Sequence, residues 1–188
     1  MHPSRRRPLV LLAALLALAP AAAAQEETPE SVAAAYVRTM QAGEWEANAR
    51  LMHPEATGAI RTLFTRFAAT PAGKSDPQGM RRLLGVSNAQ QLEALSGEQM
   101  YIRLMRNLVS QQGLGEMLRG SRTEIIGAVR EAGTDNAYVV HRVTTTVAGT
   151  SITQTQVMPL KRHEGGWRVM LTANLEQIVS SLDRMMAP

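Results

Sequence analysis

Residues 121–172 read SRTEIIGAVR EAGTDNAYVV HRVTTTVAGT SITQTQVMPL KRHEGGWRVM LT, and this stretch decides the fold class. Four runs in it, 123–130, 137–147, 152–161 and 167–172, alternate in polarity and are rich in Val, Ile, Thr and Tyr, the signature of β-strands. Turn residues separate them: Gly133-Thr134-Asp135-Asn136, Ala148-Gly149 and Glu164-Gly165-Gly166. Connections this short join antiparallel neighbours, so the expectation is a meander of about four strands. Within it Val139, His141 and Val143 fall on one face, with Tyr138, Val140 and Arg142 on the other. The facing strand should present Gln154 and Gln156 beside His141.

Upstream, the period changes from two to 3.6. Thr28-Pro29-Glu30 supplies an N-cap, a proline suited to the first helical turn and an acid at the positive end of the dipole. Val32, Tyr36, Val37 and Met40 follow as a buried stripe, and Gly43 ends the helix. A short second helix carries Trp45, Leu51 and Met52. A third begins after His53-Pro54-Glu55 and presents Ile60, Leu63, Phe64 and Phe67. The composition of 70–77 reads as a loop. Short helices are expected at 80–84 and at 89–95, the latter capped by Ser87 with Gln90. Ser96 and Gln99 form a capping box for the longest helix, with Met100, Tyr101, Leu104, Met105, Leu108 and Val109 on its apolar side and Gly113 and Gly115 closing it. After the last strand, Asn174 caps a terminal helix with Leu175, Ile178, Val179, Leu182, Met185 and Met186 on one face. Helices first and a curved antiparallel sheet second make an α+β domain.

The chain has 188 residues, 45% of them apolar and 19% charged, with no cysteine, which places it among ordinary single-domain globular proteins without disulfides. Residues 1–24 read as a secretory signal peptide: Arg5, Arg6 and Arg7, an apolar run over 9–19, Pro20, and small residues before Gln25. An eleven-residue run spans roughly 16 Å as a helix, about half a bilayer core, so no stable membrane anchor is expected after cleavage. The single domain is then 25–188, in a periplasmic or secreted setting of bacterial type. Removing three arginines leaves 17 basic against 16 acidic residues, a net of +1. Nucleic acid is therefore not an expected partner.

Ala68 to Ser75 matches a permissive phosphate-loop pattern, but a helix precedes it where a strand is required, so it reads as a loop containing a lysine. The mature histidines are His53, His141 and His163. His163-Glu164 lacks the second histidine of a zinc protease, because Trp167 stands there, and the methionines lie on apolar stripes, so no metal is expected. No thiol nucleophile exists, and no acid–base pair recurs at a defensible spacing. No cofactor and no catalytic residue follow. The remaining candidates for a ligand pocket are Tyr36, Trp45, His53, His141, Gln154 and Gln156, each of which also reads as an ordinary core or turn residue.

Thr28 to Val37, then Gly43-Glu44-Trp45, then Leu51-Met52-His53-Pro54-Glu55-Ala56, together with the closing Glu164-Gly165-Gly166-Trp167-Arg168-Val169, resemble the nuclear-transport-factor-two-like superfamily. The resemblance covers some 70 residues and implies a cone of helices packed into a bent sheet with a cavity at the open end. Residues 70–118 and the terminal helix are additions to that pattern, and none of the superfamily's catalytic sets is spaced here. In element order alone the chain is similar to periplasmic phospholipid-shuttle proteins. The expectation is thus a non-catalytic binding or scaffold domain for a small apolar molecule. A cavity enzyme (isomerase, dehydratase or hydrolase) and a lipid carrier are the alternatives. The terminal helix is expected to dock as a lid over the cavity, with a homodimer contact as its other use.

Overall fold

The computed structural model describes residues 27–75, 77–111, 114–147 and 149–172. The expected signal peptide and the expected terminal helix from Asn174 fall outside the described residues.

The helical half comprises α1 (Pro29–Ala42), α2 (Trp45–Arg50), α3 (Pro54–Ala69), α4 (Pro71–Ser75), α5 (Pro77–Leu84), α6 (Ala89–Glu93), α7 (Gly97–Gln111) and α8 (Leu114–Gly120). Their ends follow local chemistry. Thr28 and Ser31 bond reciprocally at the start of α1, and Gly43, at φ +71°, closes it in the left-handed region that only glycine enters without strain. Ser96 Oγ accepts the Gln99 amide at 3.1 Å while Gln99 Oε1 accepts the Ser96 amide at 2.9 Å, the expected capping box of α7. Gly97, the first residue of that helix, lies so close to the Thr57 carbonyl of α3 that a Cβ there would collide with it.

Several boundaries differ from the sequence reading, among them that of α5, which starts at Pro77 rather than at residue 80. Residues 71–75 form the short α4 rather than a loop, because Thr70 Oγ1 accepts the Gly73 amide and starts a turn. The cap of α6 is Asn88, whose Oδ1 accepts the Gln91 amide, one residue later than the Ser87–Gln90 pairing. Gly115 lies within α8 and does not end α7. Leu51 and Met52 lie past the end of α2: their amides still donate to Asn48 and Ala49, but the Leu51 carbonyl accepts the Val169 amide of the sheet.

The sheet is an open antiparallel meander in the order β1 (Arg122–Arg130), β2 (Asn136–Val147), β3 (Thr150–His163), β4 (Gly166–Val169). Register is as the alternation requires: Val139 faces Met158, His141 faces Gln156 and Val143 faces Gln154. A bulge between Ile125 and Gly127 interrupts β1. The last strand is shorter than expected. Met170 still donates to the Pro159 carbonyl at 2.9 Å, and the chain then leaves the ladder. The connector between α2 and α3 closes the edge of β4: Val169 donates to Leu51 and His53 donates to Val169, both at 2.8 Å, with Met52 in a parallel bridge to Val169.

One face of the sheet carries Ala137, Val139, Met158, Leu160, Trp167 and Val169, all buried against α1 and the helices behind it. That core continues through Tyr36, Trp45, Ile60, Phe64, Met100 and Tyr101. The other face carries Val129, Tyr138 and Val157, which are exposed.

Candidate ligand groove

The first turns of α3 end in small residues, Ala56 and Ala59, opposite the outward row Tyr138, Pro159 and Met170. Small side chains facing larger ones leave room, and a groove of about 320 Å³ lies between them. Among the described residues its lining also includes Leu160 and Leu171, with Glu55 and Asn136 as the polar members. Asn136, Tyr138 and Pro159 in its lining lie on the face opposite His141, and Leu160 belongs to the inner face. A second cavity, about 170 Å³, is bordered by Gly73, Lys74 and residues 86–89. It is smaller than the roughly 300–1,000 Å³ usual for small-molecule sites.

The polar end of the groove is neutralised internally. Lys161 Nζ donates to both Glu55 carboxylate oxygens, at 2.7 and 2.9 Å. That hydrogen-bonded ammonium holds the Glu55 carboxyl below the usual carboxylate range. His53 stands beside it as the cap of α3, its Nδ1 accepting the Glu55 amide at 3.1 Å. An accepting Nδ1 requires the Nε2–H tautomer of a neutral ring. The His163 ring meets that of His53 edge-on at 5.2 Å. Burial pushes the His53 pKa down, and His163 and Lys161 add to this while Glu55 opposes it. At the far end Asn136 donates to Glu131 Oε2 at 3.0 Å. Among the described residues no group of three or more His, Asp or Glu side chains is placed to hold a metal ion.

The six pocket candidates are not gathered into one site, and none of them lines the groove. Tyr36 and Trp45 sit in the core, 3% and 6% exposed. The Tyr36 hydroxyl lies 3.2 Å from that of Tyr101, which donates to Asn48 Oδ1 at 2.5 Å. Asn48 Nδ2 in turn donates to the Tyr36 carbonyl and to Thr39 Oγ1, at 2.8 and 2.9 Å. Burial raises both tyrosine pKa values, that of Tyr101 well above the ordinary phenol, so these hydroxyls stay protonated. His53 flanks the groove. His141, Gln156 and Gln154 form a third group on the inner face, Gln156 Nε2 donating to Gln154 Oε1 at 3.4 Å. His141 is buried, and its Nδ1 has no hydrogen-bond partner among the described residues.

Asn48 is a polar member of the core that the sequence reading passed over, whereas its partner Tyr101 lies on the buried stripe of α7 as expected. The signal was present: Trp45, Asn48, Ala49 and Met52 follow the spacing of a buried helical stripe, and an asparagine on such a stripe needs partners. The groove residues Ala56 and Ala59 carry no comparable signal, since alanine is unremarkable in any helix.

Burial, opposed by Gln156 and the Val139 backbone, pushes the His141 pKa down. The unfolded chain then takes up a proton near pH 6.5 while the folded one does not. Stability present above pH 6.5 should therefore fall as pH drops through that value and level off below the folded pKa. Melting temperatures measured from pH 8 to 5 should decline less steeply for His141→Gln than for the wild type; parallel curves would contradict this assignment.

Compared with protein-family models, curated proteins and solved structures, the chain matches none.

Proposed function

We propose that the chain is a non-catalytic binding domain that holds a small, mainly apolar molecule in the groove between α3 and the outer face of β2 and β3. The observation that carries this reading is the lining: Ala56, Ala59, Pro159, Leu160, Met170 and Leu171 make an apolar trough with a polar end whose carboxylate is already paired. Catalysis would need a free acid, base or nucleophile there. Glu55 is engaged by Lys161, and the Tyr36 and Tyr101 hydroxyls are sealed in the core. A volume of about 320 Å³ suits a ring system or one acyl chain better than a two-chain lipid. Helices packed on an open antiparallel meander support a nuclear-transport-factor-two-like ancestry, and the three-part leader supports export; both belong to the proposal.

The test uses the apolar fluorophore N-phenyl-1-naphthylamine. The wild type should bind it with enhanced emission, and Ala59→Trp, which fills the trough from an accessible helix position, should weaken binding at least ten-fold. Circular dichroism should be unchanged. Equal binding by the two proteins would overturn the assignment of the groove.

A further inference from the structure

The sheet's edges are protected unequally. The free edge of β1 carries Arg122, Glu124 and Arg130 and a bulge, and the edge of β4 is covered by residues 51–53. But β4 pairs only with residues 160–163 of β3. Beyond Pro159, residues 150–157 of β3 face no strand on that side among the described residues. Their sequence, TSITQTQV, contains no charge, no proline and no glycine. Ile152 is 49% exposed and Val157 50%. An extended, neutral, β-prone edge without a guard is the kind that pairs with another strand.

We propose that this edge is an interaction surface and that a second copy of the chain occupies it, residues 150–156 pairing antiparallel with themselves about a two-fold axis at Thr153. Directly opposed residues of an antiparallel pair point to the same face. With the axis at Thr153, Thr153 meets its counterpart, Ile152 meets Gln154, Ser151 meets Thr155 and Thr150 meets Gln156. Every pair is neutral, so self-association brings no like charges together. On the outward face Thr144 and Thr153 already stand with their hydroxyls 3.0 Å apart, and Thr146 and Ser151 at 3.2 Å. The two-fold extends the first pair into a row of four threonines across two molecules. A charged peptide would find no complementary group on this edge, whereas a second copy matches it residue for residue. Seven paired residues per chain make less than a standard interface of about 800 Å² per partner, so the dimer should be reversible.

Sedimentation equilibrium of the chain from micromolar to several hundred micromolar should show a monomer–dimer equilibrium. Thr153→Lys, on an exposed position, should weaken it at least ten-fold while leaving the melting temperature unchanged, because it sets two ammonium groups face to face. The chain has no cysteine of its own, so Thr153→Cys introduces a single thiol. Mild oxidation should convert it to a covalent dimer much faster than Thr134→Cys, placed in the β1–β2 turn. A wild type that stays monomeric throughout, or a dimer indifferent to Thr153→Lys, overturns the proposal. Slow exchange, in the monomer, of those amides of 151–157 that point away from β2 would also overturn it, by assigning the edge to another segment of the same chain.

Discussion

Trp167→Ala should cost roughly 3–5 kcal/mol of folding stability, the range for removing a buried aromatic ring from a close-packed core. Trp167 is 2% exposed and sits on the inner face beside Leu160 and Val169. Its ring is also flanked by two cations, the Arg162 guanidinium 4.6 Å and the Arg130 guanidinium 5.7 Å from its centroid. Loss of the ring therefore removes apolar contact and leaves both guanidiniums without their π face. For a domain of this size the melting temperature should fall by roughly 6–20 °C. Trp167→Phe should cost much less. It keeps an aromatic face and removes an indole N–H that has no acceptor among the described residues. Chemical denaturation of the three proteins checks both statements. A loss below about 1 kcal/mol for the alanine variant would mean that the ring is not in the core.

Asn48→Ala should be comparably damaging, at about 3 kcal/mol, though the residue is small. Asn48 is fully buried and uses both ends of its amide, accepting from Tyr101 and donating to Thr39 and to the Tyr36 backbone. Truncation strands the Tyr101 hydroxyl and leaves a void beside it, so two penalties act together. Tyr101→Phe removes one partner of the same network and should cost about 1–2 kcal/mol, since Asn48 Oδ1 loses its donor. The double variant Asn48→Leu with Tyr101→Phe should then be less harmful than the sum of its single changes, because the second substitution removes a group the first had orphaned. Strict additivity in a denaturant double-mutant cycle would show that the two side chains do not communicate.

The two regular halves of the fold were legible to different depths. Strand starts and turns could be placed within two residues because glycine pairs and alternation are local signals; β2 runs Asn136–Val147 where 137–147 was expected. The Thr28 cap and the Ser96–Gln99 box were equally local. Local rules failed where a tertiary contact took over. Leu51 and Met52 have helical spacing from Trp45, yet the Leu51 carbonyl is drawn to the Val169 amide and the helix ends at Arg50. The groove was illegible for the same reason. It is a gap left by Ala56 and Ala59 against a strand some 80 residues away, and absence of volume leaves no mark in a sequence. His141 and its glutamine partners were read correctly as neighbours, since strand register is arithmetic once the turn is known.

The bridge between the α2–α3 connector and β4 ties residue 52 to residue 169, a separation of 117 positions. Contacts so distant along the chain are made late and slow the approach to the native state. During synthesis at about 5–20 residues per second, the connector emerges roughly 6–23 s before its partner strand exists. Early in that interval α1, α2 and α3 have no strand to bury their apolar faces against, and β1 to β3 emerge before β4 does. The described core includes Trp167 and Val169, so it is complete only after β4 has emerged.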